Sequence, residues 1–136
     1  MVRLLITGVC LLLSAGCGNS DRLPTYKATG TVKFDDGKPV EEGSISLSAS
    51  GLPPGRGFIE NGEFSVTTYE EGDGAVAGTF QVAIRANPPV DYDPDSRGPA
   101  PIGAKAKYER PETSGIEFEV TPKGANTLDI VLERGN

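Results

Sequence analysis

The sequence predicts an all-β fold, a seven-stranded antiparallel β-sandwich in a single domain. Two observations predict it. Apolar and polar residues alternate with a period of two in several short runs, and many of the 18 Gly and 11 Pro residues separate these runs. No window shows a helical 3.6-residue pattern longer than a turn or two. Short strands punctuated by turns are typical of sandwiches, in which each sheet buries one face.

The alternating runs define the strands in order. In the first run Ala28, Val32 and Phe34 share one face, and Ile45 and Leu47 alternate with serines in the second. One helical turn is expected around 104–108. The seven predicted strands span residues 26–34, 44–50, 57–60, 63–67, 80–86, 116–120 and 128–133.

The pair Asn61-Gly62 separates the third strand from the fourth. Asn and Gly accept positive φ at both central positions of a type I′ turn, which is the turn that matches the twist of a two-residue hairpin. The sequence therefore predicts a tight hairpin at this point.

Charge and composition exclude several functional classes. The net charge is −6, so the chain lacks the basic surface that neutralises phosphates, and no nucleic-acid partner is expected. The absence of His removes the commonest general base and zinc ligand. Both cysteines, Cys10 and Cys17, lie near the amino terminus. We therefore predict no catalytic residues, no metal site and no cofactor.

The amino-terminal segment has the features of a signal peptide. A short basic region ends at Arg3, and a mostly apolar run follows from Leu4 to Leu13. That run of ten residues is too short for a stable membrane-spanning helix, which needs roughly 20. The segment is expected to direct export.

The sequence Leu13-Ser14-Ala15-Gly16-Cys17-Gly18 resembles the bacterial lipobox. The resemblance implies lipidation of Cys17 and an exported, membrane-anchored lipoprotein of the cell envelope, on the outer membrane or the periplasmic face. The alternatives are ordinary secretion with cleavage near Ala15, or a buried amino-terminal strand. The predicted organisation is a signal peptide over 1–16, a lipidated Cys and linker over 17–24, and a β-domain over 25–136.

A longer resemblance covers nearly everything after Leu23. The segment 30–45, with its Gly37-Lys38-Pro39-Val40 turn, resembles the opening of a carboxypeptidase regulatory-like, transthyretin-related domain. The segments 62–68 and 72–82 resemble small lipoproteins of planctomycete bacteria. This resemblance implies an immunoglobulin- or prealbumin-like sandwich and a non-enzymatic structural or protein-recognition role, with no functional residues to carry over.

One enzyme group within the transthyretin-related proteins is disfavoured. Hydroxyisourate hydrolases use histidines and end in Tyr-Arg-Gly-Ser, whereas this chain has no His and ends Glu133-Arg134-Gly135-Asn136. We therefore predict that the protein is not an enzyme.

A Pro-rich loop over 87–103 is the main candidate for a binding site. It contains Asp91, Tyr92, Asp93 and Asp95. Alternating carboxylates are able to converge on Ca²⁺, and Tyr92 is able to anchor a partner, but the same residues are ordinary in a solvated connector. Two functions therefore stay open. The first is an envelope module that contacts an envelope protein or polysaccharide, and the second is a small-ligand or carbohydrate-binding module acting through loop 87–103.

Overall fold

The computed structural model describes residues 21–88, 93–95, 97 and 103–135. These residues form nine strands, a 3₁₀ turn over Ala106–Glu109 and one turn of helix, α1, over Pro111–Ser114. The strands are β1 Thr25–Tyr26, β2 Ala28–Phe34, β3 Glu42–Ser48, β4 Gly55–Glu60, β5 Glu63–Ser65, β6 Ala75–Val76, β7 Gly78–Ala86, β8 Glu117–Val120 and β9 Asn126–Leu132.

The fold is all-β, as predicted, and seven strands form one sheet in the order β8-β7-β3-β4-β5-β2-β9. These seven strands follow the seven predicted runs in chain order. β1 and β6 pair separately as a two-stranded ribbon. The long sheet curls until its two end strands, β8 and β9, lie close together, so the sheet is nearly closed.

The sheet is mixed, so the prediction of a purely antiparallel arrangement is wrong at one pair. β2 and β9 run parallel, from Ala28 opposite Asn126 to Phe34 opposite Leu132. Almost the whole domain separates these two strands in sequence, so no short turn forces them to run in opposite directions. The Thr31 hydroxyl donates a 2.8 Å hydrogen bond to Asp129 across this pair.

The core fills the inside of the curled sheet. Its members are the inward residues of the alternating runs, joined by Val40, Val66 and Tyr108. Gly30 belongs to the same inward face, and a Cβ there would lie 2.6 Å from the Phe64 ring. The largest fully buried side chains are Phe80, Ile45, Leu47, Ile59, Ile84 and Leu132.

The β4–β5 hairpin has the predicted turn. Asn61 and Gly62 both have positive φ, 50° and 79°. The turn also packs onto the segment before β3, because the Asn61 N–H donates to the Glu41 carbonyl at 2.8 Å and the Gly62 N–H donates to the Val40 carbonyl at 2.7 Å. These bonds fix the end of the hairpin and therefore the register of β4.

Candidate functional site

An open cleft of about 920 Å³ lies on the outward face of β3, β4 and β5. Its floor consists of the outward side chains of three neighbouring strands, and the loop after β5 forms a wall at one end. Residues that line the cleft include Ser44, Ser46, Arg56, Phe58, Glu60, Glu63, Ser65, Thr67, Glu71 and Gly72.

Phe58 lies at the centre of the cleft and is 80% exposed. The hairpin register decides this orientation. Ile59 pairs with Phe64, and both of these side chains point into the core, so Phe58 must point outward. Single exposed apolar residues are common, but an aromatic ring in the middle of a cleft is typical of recognition sites.

Three rows of side chains cross the floor at right angles to the strands. We call them the basic row, the aromatic row and the acidic row, after their β4 members Arg56, Phe58 and Glu60. The flanking residues follow from the strand register. The basic row is Ser46, Arg56 and Thr67; the aromatic row is Ser44, Phe58 and Ser65; the acidic row is Glu42, Glu60 and Glu63.

The charges of the cleft are not neutralised locally. The described residues form five ion pairs. None of the five includes a charged residue of the basic row or the acidic row, which are Arg56, Glu42, Glu60 and Glu63. Carboxylates directly opposite each other on neighbouring strands repel. The acidic row therefore lowers the stability of the isolated chain.

The wall of the cleft is a loop organised by Asp73. Its carboxylate accepts backbone N–H groups from Thr68 at 2.7 Å and from Tyr69 and Glu70, both at 3.0 Å. Burial raises the pKa of the Asp73 carboxyl, but these three N–H groups outweigh burial and hold the pKa below its ordinary 3.8. The Gly72 N–H donates to the Thr67 hydroxyl at 2.9 Å, which attaches the wall to the floor.

The outer side of the same wall contacts the start of the described chain. Arg22 forms a 3.5 Å ion pair with Glu70, and its guanidinium lies 5.1 Å from the centre of the Tyr69 ring. The segment that leads toward the predicted lipid site therefore lies at the basic-row end of the cleft. The Asn61-Gly62 turn lies at the opposite end, beyond the acidic row.

A second polar cluster joins the segment before the 3₁₀ turn, and the turn itself, to the residue that follows β9. Glu133, just after β9, forms ion pairs with Lys105 and, at 2.9 Å, with Lys107. Hydrogen bonds from Lys105 and then Lys107 lower the pKa of Glu133 from 4.5 to about 2. The Glu133 N–H donates to the buried Tyr108 hydroxyl at 3.2 Å. Because its members are mutually paired, we interpret this cluster as structural.

The structure places only part of the predicted binding loop. Asp93 and Asp95 are exposed, and the Asp95 N–H donates to the Asp93 carboxylate at 2.9 Å, as in an ordinary turn. Asp91, Tyr92 and Cys17 lie outside the described residues. Within the described ranges, no group of three or more His, Cys, Asp and Glu side chains is placed to hold a metal ion.

The cleft was not predicted, although the sequence contains the signal for its position. A two-residue turn at Asn61-Gly62 makes Glu60 face Glu63 and Ile59 face Phe64, which leaves Phe58 on the other face. The wall was not predicted, although the Asp73 carboxylate accepts backbone N–H groups only three to five residues away in the sequence.

Comparison of the chain with protein-family models, with curated proteins and with solved structures gave no match. In the part of the chain that the structure describes, no helix is long and apolar enough to cross a membrane.

Proposed function

We propose that the protein is a lipid-anchored, non-enzymatic recognition module of the bacterial cell envelope, which binds a protein partner through the Phe58 cleft. The observation that carries this proposal is the 80% exposed aromatic ring at the centre of a cleft with unpaired charges on both sides. Protein-recognition sites commonly combine an aromatic anchor with charged neighbours.

The anchoring part of the proposal rests on sequence. The basic start, the apolar run and the small residues before Cys17 support export, cleavage before Cys17 and attachment of a diacylglyceryl group to its thiol. The curled sheet would then be a variant of the transthyretin-related sandwich, placed close to the membrane by a short linker. Intact-mass analysis of the protein purified from its native envelope tests this part. Acyl mass on a chain that begins at Cys17 is expected, and an unmodified secreted chain would contradict it.

The backbone geometry of the cleft limits the way in which a partner binds. β4 is paired on both sides, with β3 and with β5, so a partner is unable to add a strand there. Binding must therefore use side chains. Phe58 supplies the apolar contact area. Arg56 and Glu60 determine the orientation of the partner, because they carry opposite charges on the two sides of Phe58 along β4.

Site-specific photo-crosslinking in cells tests the recognition role. A photoreactive residue at Ser65, next to Phe58, is expected to capture a protein, and the same residue at Glu117, on the exposed face of β8, is expected to capture none. Phe58→Ala should abolish the adduct. Val131→Ala is the matched control, because Val131 is also apolar and exposed, at 52%, but lies on β9 outside the cleft.

A polysaccharide is the second candidate partner, and it is favoured by the hydroxyls of Ser44 and Ser65 on either side of the Phe58 ring. Hydroxyl groups are able to donate to and accept from sugar hydroxyls. In that case the Ser65 probe yields no protein adduct, and the full-length protein is retained on an envelope glycan matrix in a manner that Phe58→Ala abolishes.

A further inference from the structure

The β4 strand carries a cation, an aromatic ring and an anion at alternate outward positions. Arg56, Phe58 and Glu60 are all exposed on this face. A strand rises about 3.3 Å per residue, so the two charged residues lie about 7 Å to either side of the ring. Read from the opposite end of β4, the three positions have the same spacing, but the positive and negative charges change places.

Such a pattern is complementary to a second copy of itself. When two identical faces stack with their β4 strands antiparallel, Arg56 lies over the partner's Glu60, and Glu60 lies over the partner's Arg56. Phe58 lies over the partner's Phe58. The operation is a two-fold rotation about an axis parallel to the sheet and perpendicular to β4, so the interface is closed and isologous.

We propose that the partner of the Phe58 cleft is a second copy of this chain, stacked face to face with its β4 strand antiparallel. This inference rests on the proposed recognition function and names its partner. The flanking residues agree with it. Glu42 and Glu63, at the ends of the acidic row, face the partner's Ser46 and Thr67, whose hydroxyls donate to carboxylates.

The opposite alignment is excluded by charge. If the two β4 strands ran parallel, Arg56 would lie over the partner's Arg56 and the acidic rows would lie over each other. Six carboxylates would then face one another without any described cation in either row. The antiparallel alignment instead supplies each acidic row with the guanidinium that it lacks in the isolated chain.

The size of the face predicts a weak dimer. Three strands and three alternating positions cover on the order of 300 Å² of sheet, whereas a standard interface buries about 800 Å² on each partner. Attachment of both copies to one membrane would raise their effective concentration and favour the dimer. Association is therefore expected at high concentration in detergent and on vesicles.

Charge reversal of the full-length protein tests the proposal. Sedimentation equilibrium in detergent micelles is expected to show self-association of the unaltered chain. Arg56→Glu alone and Glu60→Arg alone should each weaken it at least tenfold, because each creates two like-charge contacts. An equimolar mixture of the two variants should restore dimers, since each reversed residue then meets its opposite charge, and the double variant R56E/E60R should form homodimers again.

Crosslinking tests the alignment independently. The two-fold axis places Ser44 over the partner's Ser44. Stacked sheets lie about 10 Å apart, which is too far for a disulfide, so a short bis-maleimide is expected to link the Ser44→Cys variant into a dimer on phosphatidylcholine vesicles. The parent chain and a Glu117→Cys variant serve as controls and should form none. Restoration in the mixture also shows that neither charge variant has lost its fold.

The outcomes separate this inference from the proposed function. A chain that stays monomeric, without a Ser44→Cys dimer, overturns the self-pairing. Dimers that are insensitive to both charge reversals also overturn it. If the Ser65 photoadduct has the mass of a different protein, the recognition function stands and self-pairing fails; if Ser65 captures no protein at all and no dimer forms, both fail.

Discussion

Phe58 and Ile59 are neighbours in the chain, yet Ile59 is 1% exposed and Phe58 is 80% exposed. The hairpin turn fixes this difference, because it pairs Ile59 with Phe64 on the inward face. One residue therefore contributes to the core, and the next one is available to a partner.

We expect alanine substitutions at these two positions to have opposite consequences. Ile59→Ala should lower the free energy of unfolding by about 2–5 kcal/mol, because it leaves a cavity in the core. Phe58→Ala should change it by less than about 0.5 kcal/mol, as is usual for exposed positions. Urea unfolding monitored by circular dichroism measures both at low protein concentration. A large loss of stability in Phe58→Ala would mean that the ring packs against the fold.

We expect Ala to be less well tolerated at Gly62, in the Asn61-Gly62 turn, than at Gly37, although both glycines have positive φ. Gly62 and Gly37 have φ of 79° and 87°, but a Cβ at Gly62 would lie 2.7 Å from the Pro39 Cβ, whereas a Cβ at Gly37 meets nothing within 4 Å. Gly37→Ala should cost about 1–2 kcal/mol for the left-handed backbone alone. Gly62→Ala should cost more than Gly37→Ala, and equal costs in urea unfolding would contradict the contact with Pro39.

Much of the fold could be predicted from local pattern. The alternation of Ile45 and Leu47 with serines, and the Asn61-Gly62 pair, are signals that act within a few residues, and the structure has the expected strands and turn there. The orientation of Phe58 follows from the same turn. These features need no knowledge of distant contacts.

The remaining features depend on residues far apart in the chain. The parallel pairing of β2 with β9 joins Ala28 to Asn126, and no turn chemistry indicates it. The ion pair on the outer side of the wall joins Arg22 to Glu70, 48 residues away. Arg56 and Glu60 flank Phe58 by alternation along β4 alone, whereas Ser44 and Ser46 reach the floor of the cleft through the pairing of β3 with β4. Such contacts are set by the way in which the whole sheet curls.

Asp73 is expected to stabilise the wall in a pH-dependent manner. Asp73→Asn should lower the free energy of unfolding by about 1.5–3 kcal/mol near neutral pH, because hydrogen bonds to a charged acceptor are lost. The pKa of Asp73 is lowered in the fold, so its contribution is fully present above pH 3.8 and is lost as the pH falls through the lower folded value. The difference between the two proteins should therefore shrink when urea unfolding is repeated below pH 3.8.

Glu71→Gln is the matched control for Asp73→Asn, since it removes the same charge from an exposed position of the same loop. It should change stability by less than about 0.5 kcal/mol. If both variants lose equal stability, the effect belongs to the net charge of the loop and not to the three N–H bonds of Asp73.

The Glu133 cluster predicts a carboxyl group that stays ionised in acid. Its pKa is about 2 because Lys105 and Lys107 donate to its two oxygens. A carboxyl ¹³C NMR titration of the folded protein should place the midpoint near this value. Replacing both lysines with alanine should raise the pKa toward 4.5, the ordinary value for Glu. Lys123→Ala, which removes a cation from the β8–β9 connection, is the control and should leave the midpoint unchanged.

The direction of the Glu133 pKa shift determines how the stability of the fold changes with pH. Because the pKa of Glu133 is lower in the folded state, the ion pairs stabilise the fold above pH 4.5, and this stabilisation is lost as the pH falls from 4.5 to about 2. Glu133→Gln should therefore be less stable than the unaltered protein at neutral pH and equally stable near pH 2. A stability difference that persists unchanged at pH 2 would show that the charge of the Glu133 side chain is not the cause.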